Sequence, residues 1–437
     1  MNESRVIGEE SGLPNPSKFM NQVLRGSAYS FSTAIADIID NSIEAGATVV
    51  EIHADLDNLQ IAIIDNGDGM NDATHFESMK VAAETRAYSK DDLGKYGTGM
   101  KAASLSQARC LTVATRAKGS ANISVRRIDM DHITRTNDWD RLTLVLDESS
   151  VPEHVLDALK SRSGTAVIWD NIDTFYVSGS LNETGARTEM KKQLGPLEDH
   201  IGMTFHKFLD GEVPDREQMT IKLNGESITS WDPFWRSEPA STFSVPSPDF
   251  NVNGMPFAVK GYVLPGEKEF SSKQNFKRAG GQKKWVQSQG FWVYRNHRLI
   301  RGGGWLGMRS PDTHTILARI AIDFPSALDA IFNVNVAKSK VELPQTVKNW
   351  LDPIITETIS KAKKRYASQS KLAGLSAQTL PGRSIGGTIA LNRRMTAHAL
   401  ADLLTKVAAA SGAKKELQIL QDALRKQNSG VADEIGW

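Results

Sequence analysis

The feature that most constrains this chain is a change of period at Gly46. Before it, Ile35, Ile38, Ile39 and Ile43 recur at steps of three, one and four, which lays one apolar stripe along a helix starting near Ser30. After it, "TVVEIHADL" and "LQIAIID" read as an antiparallel pair of strands, and the second ends in Asp65 just before a Gly-rich turn. The helix also carries Asp37, Asp40 and Asn41. Residues four apart stand one turn above each other, so Asp37 and Asn41 share a face, while Asp40 points roughly 100° away from Asn41. A short helix is expected at "FESMKVAAET", and "GKYGTGMKAASLSQA" is a Gly-rich loop running into a further helix. "CLTVATRA", "ANISVRRIDM", "RLTLVLDE" and "GTAVIWDNI" are further strands. This order predicts an α/β (α+β) sandwich, one mixed sheet covered by helices.

A length of 437 residues implies two or three domains. Residues 1–19 are polar, contain Pro and Gly, and read as an N-terminal arm; a first domain covers 20–215. A second, at 216–345, holds strands at "MTIKLNGESI", "FAVKGYVLP", "QGFWVYRNHRLI" and "LARIAIDFP". A helix (346–372), a linker (373–394) and a helical hairpin (395–437) complete the reading, the hairpin being the expected surface for a protein partner. Net charge is +1, so no global field draws the chain to nucleic acid or membrane. Cys110 is the single cysteine; a disulfide framework is impossible, and the residue is expected in the core. No apolar run approaches the roughly 18 residues of a membrane span, and the N-terminus has no signal-peptide pattern, so a cytoplasmic location is expected.

The chemistry gathers on three segments. A carboxylate beside an amide oxygen, as at Asp37 and Asn41, can hold a hydrated Mg²⁺ and orient a water. Asp65 can accept a hydrogen bond from an exocyclic amine, and Gly67 and Gly69 stand where a flat ring could approach bare backbone. Gly94, Gly97 and Gly99 precede a helix whose first N–H groups would favour phosphate. "GKYGTGMK" imitates GxxxxGK[ST], but Met100 stands where that motif needs lysine, which excludes a P-loop. The nine histidines show no HxxxH or HxxE cluster, so a zinc site is not expected.

Taken in order, these segments resemble the GHKL ATPase superfamily, which includes gyrase B, the ninety-kilodalton heat-shock chaperone, histidine kinases and MutL. "DIIDNSIEAGA" is similar to its N-box, "DNGDGM" to its DxGxG box, "YGTGMKAAS" to its lid and GxG box, and "SGTAVIWDNI" to a later strand at the adenine pocket. "KYGTGMKAASLSQA" and "WDPFW" resemble MORC segments, "GFWVYRNHRLIR" a second-domain strand of both MORC and MutL, and "NVNVAKSKVEL" a MutL segment. The resemblance covers roughly residues 20–345. It implies a Bergerat-type ATP-binding domain, a β-α-β transducer domain and a helical extension. It also implies ATP and Mg²⁺ as cofactors, with Asn41 ligating the metal and Asp65 binding the adenine amine. Gly67, Gly69 and Met70 would flank the base; Gly97, Thr98, Gly99, Met100 and Lys101 would wrap the phosphates; Thr165 would support Asp65. Lys338, or Lys340 one register on, would reach the γ-phosphate. Asp37 stands where the superfamily carries a glutamate general base, one methylene shorter. The implied behaviour is an ATP-gated homodimeric clamp, DNA-associated as in MutL or MORC; a chaperone-like or scaffold switch acting on a protein is the alternative. A basic run with aromatics at 270–285 (Lys273, Phe276, Lys277, Arg278, Lys283, Lys284, Trp285) is a candidate nucleic-acid contact.

Overall fold

The computed structural model describes residues 14–26, 29–80, 99–176, 182–238, 243–245, 250–252, 254–281, 284–334, 341–376, 417–419, 421–422 and 425. The expectations for Gly94, Gly97, Thr98, Lys283, Lys338 and Lys340 lie outside them, as do most of the linker, whose first residues belong to a helix, and most of the C-terminal hairpin.

The chain divides into two units, Met1–Ala373 and Gly374–Trp437. In the first, Pro16–Lys18 (α1) runs into π-helical turns at Phe19–Leu24, then α2 (Phe31–Glu44), β1 (Val49–Asp55), β2 (Gln60–Asp65), α3 (Asp72–Ser78), α4 (Gly99–Gln107), β3 (Ala108–Arg116) and β4 (Ile123–Asp129). There follow α5 (Met130–Thr136), β5 (Leu142–Thr143), α6 (Glu153–Ser161), β6 (Gly164–Ile172), α7 (Glu183–Thr204), α8 (His206–Leu209), β7 (Thr220–Leu223) and β8 (Glu226–Ser227). The eight strands form one mixed sheet in the order β5-β4-β3-β6-β2-β1-β7-β8, in which only β1 and β7 pair parallel. β2 shows why its sequence is apolar throughout. Ile61 and Ile63 enter the large core beneath α2, α4 and α7, and Ala62 and Ile64 enter a smaller core beneath α6. A strand buried on both faces has no polar alternation.

A second sheet holds β9 (Phe243–Val245), β10 (Phe250–Val252), β11 (Met255–Val263), β12 (Gly290–Arg295), β13 (Arg298–Gly302) and β14 (Ala318–Phe324). Its order is β10-β11-β14-β12-β13, with β9 also on β11 and with β12 and β14 parallel. Two short helices, α9 (Lys273–Ala279) and α10 (Lys284–Ser288), cross from β11 to β12, and the long α11 (Gln345–Ser376) follows β14. "WDPFW" seals this sheet: Phe234 stacks on Tyr262 at 4.1 Å between centroids, and Trp231 lies against Trp292 at 5.5 Å. Between them the buried Arg319 donates to the Pro233 carbonyl.

Several boundaries differ from the sequence reading. Helix begins at Pro16, inside the expected arm, because Asn15 caps it and Met20 is buried in the core. β7 and β8 belong to the first sheet, although "MTIKLNGESI" reads in sequence as the start of the second domain. "RLTLVLDE" yields only Leu142–Thr143, at the sheet edge, with Val145 73% exposed. "QGFWVYRNHRLI" is a hairpin, turned at Asn296 and His297 with φ of 45° and 68°. The described residues of the second unit are helical. Among the described residues, no helix is long and apolar enough to cross a membrane.

Candidate active site

α2 is started by a reciprocal cap: Ser30 Oγ accepts from the Thr33 N–H and Thr33 Oγ1 accepts from the Ser30 N–H. Ile35, Ile38, Ile39 and Ile43 are all buried. Their burial carries the polar residues of the same helix inward, and Asp37 and Asp40 are 4% and 0% exposed. Asp37 Oδ2 accepts from the Tyr29 hydroxyl at 2.6 Å, and burial together with the Asp37 charge pushes the Tyr29 phenol far above its usual range. Asn41, one turn on, is half-buried, and among the described residues its side chain has no hydrogen-bond partner. That leaves its amide oxygen available as a hard donor, which fits a Mg²⁺ held by one protein oxygen and phosphate oxygens.

At the end of β2, Asp65 is cradled by protein. Its Oδ1 accepts from the N–H groups of Gly67 (2.9 Å) and Thr165 (3.0 Å), and its Oδ2 from the Ser42 hydroxyl at 3.0 Å. Burial raises the carboxyl's pKa, and the Gly67, Thr165 and Ser42 bonds oppose that rise. Asn66 locks the turn, accepting from the N–H groups of Thr48 and Val49 at 2.9 and 2.8 Å. Behind Asp65, the Met70 N–H donates to Thr115 Oγ1 (2.9 Å), which lies 3.0 Å from Thr165 Oγ1.

The two turn glycines are also required by the backbone packed against them. A Cβ on Gly67 would sit 2.7 Å from the Ala45 carbonyl oxygen, and one on Gly69, where φ is +63°, 2.0 Å from that of Arg116. The missing side chains make room for α2's end and for β3.

α4 opens at Gly99, and a Cβ there would lie 3.7 Å from Asp37 Oδ2, so the start of this helix lies beside the Asp37 carboxylate. Met100 packs on the main core. Lys101 is buried, and its ammonium donates to the Ser78 carbonyl at 2.6 Å, turned toward the end of α3; burial lowers its pKa to about 8. Cys110 is buried, and its thiol is pushed up to about 12 by burial and the neighbouring Asp129.

Four participants were not singled out in the sequence: Tyr29, Ser42, Thr115 and Arg298. Ser42 had a local signal, since it follows Asn41 on the same helix. Arg298 had none, since it reaches Asp40 from 258 residues away.

Residues 29–165 match the family described as "Histidine kinase-, DNA gyrase B-, and HSP90-like ATPase". The matched segment runs from Tyr29, the partner of Asp37, to Thr165, the partner of Asp65. It supports the GHKL superfamily for this part of the chain and, with it, ATP binding. No curated protein matches the chain.

Proposed function

We propose that this chain is a Mg²⁺-dependent ATPase of the GHKL type, which binds the adenine amine on Asp65 and hydrolyses ATP at Asp37. The observation that carries the reading is the meeting of three elements inside the matched segment: the Asp65 cradle, the Asp37 and Asn41 turn of α2, and the opening of α4 over Asp37. Mg²⁺, held by Asn41 and phosphate oxygens, would neutralise charge on the transferred group. Asp37 would accept the proton of the attacking water as the bond to the ADP leaving group breaks. Its shorter side chain suits slow turnover, since a base must lie within about 3 Å of its proton or work through a water. By analogy with the superfamily, ATP would draw two copies together as a clamp, with Lys338 completing the site.

DNA association is part of this reading and rests on α9. Phe276 and Trp285 stack on each other at 4.5 Å and are thereby occupied, whereas Lys273, Lys277 and Arg278 are exposed. Such a surface would grip phosphates without stacking bases, so its binding should weaken steeply with salt. A clamp acting on a protein alone would bind no DNA at any salt concentration.

The test is single-turnover hydrolysis at saturating Mg-ATP. Asp37→Ala should keep ATP affinity within a few-fold and lose about 10²–10⁴-fold in rate, the usual worth of a positioned general base. Hydrolysis at the parent rate would remove Asp37 from the mechanism.

A further inference from the structure

The second sheet reaches into the candidate active site through one side chain. Arg298 opens β13 and is 5% exposed. Its Nε donates to Asp40 Oδ1 at 2.9 Å, and its Nη2 lies 3.6 Å from Asp37 Oδ1. Tyr29 holds the other oxygen of Asp37. The carboxylate is therefore approached from both sides, by a phenol of its own sheet's domain and by a guanidinium of the other.

The tip carrying Arg298 is held from behind. Both central residues of its turn are left-handed, the arrangement whose twist matches a tight hairpin. His297 Nδ1 is 2.8 Å from Asp323 Oδ2, which also accepts from Lys207 at 2.8 Å. Asn296 Oδ1 accepts from the Ser326 N–H at 3.0 Å, and Arg295 grips Asp329 through two nitrogens at 2.7 and 2.9 Å. The turn that carries Arg298 is thus fastened to β14 and the residues that follow it.

The charges make its presence consequential. Asp37 and Asp40 are three residues apart on α2 and both buried, so without a cation between them their carboxylates repel in a medium that screens poorly. A stability role would be served by the Asp40 contact alone. The second nitrogen turned toward Asp37 places the same guanidinium against the group that must aim at a water.

We infer that Arg298 is a positioning residue that holds the Asp37 carboxylate from the second sheet, so that hydrolysis depends on where that sheet sits. This rests on the ATPase reading above. It gives the second domain control over catalysis without any contact to nucleotide from Arg298 itself.

The test uses the full chain and reads ATP affinity by calorimetry beside the single-turnover rate at saturating Mg-ATP. Arg298→Met should leave affinity within about threefold, since α2 and the Asp65 cradle still form, and lower the rate at least 10-fold. Arg298→Lys should recover part of the rate, because an ammonium restores the charge but not the fork that spans two carboxylates. If Arg298→Met fails to fold, Arg298→Met with Asp40→Asn removes the surplus charge, and the same loss of rate at unchanged affinity is expected. Parent-like hydrolysis in any folded variant lacking the guanidinium and the ammonium would overturn the inference and leave the ATPase reading standing. Affinity and rate falling together, with no recovery in Arg298→Lys, would also overturn it, since Arg298 would then be structural only. A parent chain that neither binds nor hydrolyses ATP would overturn both.

Discussion

At the scale of the residue, the instructive side chain is Asp65. It accepts two backbone N–H groups and a serine hydroxyl, yet burial still raises its pKa. A carboxyl whose folded pKa lies above its unfolded value contributes stability at low pH, and that contribution is lost as pH rises through the folded pKa. Wherever Asp65 is ionised, above its folded pKa, its buried charge therefore weakens the fold. Asp65→Asn keeps an oxygen for the two amides, removes the buried charge and presents an NH₂ group where an adenine amine needs an acceptor. Thermal stability at pH 7 should be equal or higher, while ATP affinity falls about 10–100-fold, the worth of a hydrogen bond to a charged group. Calorimetry and a melting curve on one preparation check both halves. Unchanged affinity would move the base pocket elsewhere. The place of Asp65 at a strand end before a turn is legible in sequence, because that signal is local. The sequence does not show the packing requirement at Gly67 and Gly69, because the atoms that crowd them belong to Ala45 and Arg116.

At the scale of the element, α2 was readable and α7 was not. α2 has a regular isoleucine stripe and a capping serine. α7 spans 22 residues with Pro196 inside it and glycines at 185, 195 and 202, residues that individually disfavour helix. What holds it is burial of Ala186, Met190, Leu197 and Ile201, spaced four, seven and four, in the core beneath the first sheet. Gly202 is then a packing requirement: a Cβ there would lie 2.5 Å from the Thr229 carbonyl oxygen. The Trp231 N–H also donates to the Gly202 carbonyl, which ties α7 to the entry of the second sheet. Gly202→Ala should gain up to about 1 kcal/mol of helix propensity and lose about 1–3 kcal/mol to overpacking, for a net loss between about 0 and 3 kcal/mol. Urea denaturation measures the difference, and a stabilised variant would show that the Thr229 carbonyl yields freely.

At the scale of the whole molecule, specific side-chain pairs join the two sheets. Beyond Arg298, Lys207 reaches Asp323 at 2.8 Å and His206 Nε2 lies 2.9 Å from the Tyr294 hydroxyl. In the proposed reading, a nucleotide at the first sheet's site would reach the second through these contacts. If the clamp reading holds, a non-hydrolysable ATP analogue with Mg²⁺ should raise the mass measured by light scattering toward that of a dimer, and ADP should do so less. Ligand can shift such an equilibrium only by its differential affinity for the two states. The same mass in every nucleotide state would therefore sink the clamp while leaving ATP binding intact.

The sequence by itself determined the α/β class, most of the main sheet's strands, the helix carrying Asp37 and Asn41, and the strand end at Asp65. Each of these is written in a local period or a local turn, within the span over which a stripe or an alternation repeats. Only the tertiary structure decided that β7 completes the first sheet, that the turn glycines accommodate neighbouring backbone, and that Arg298 faces Asp37 and Asp40. Those outcomes depend on contacts between residues far apart along the chain. Hydrophobic burial selects which surfaces meet across such distances, and no short window of sequence carries that information.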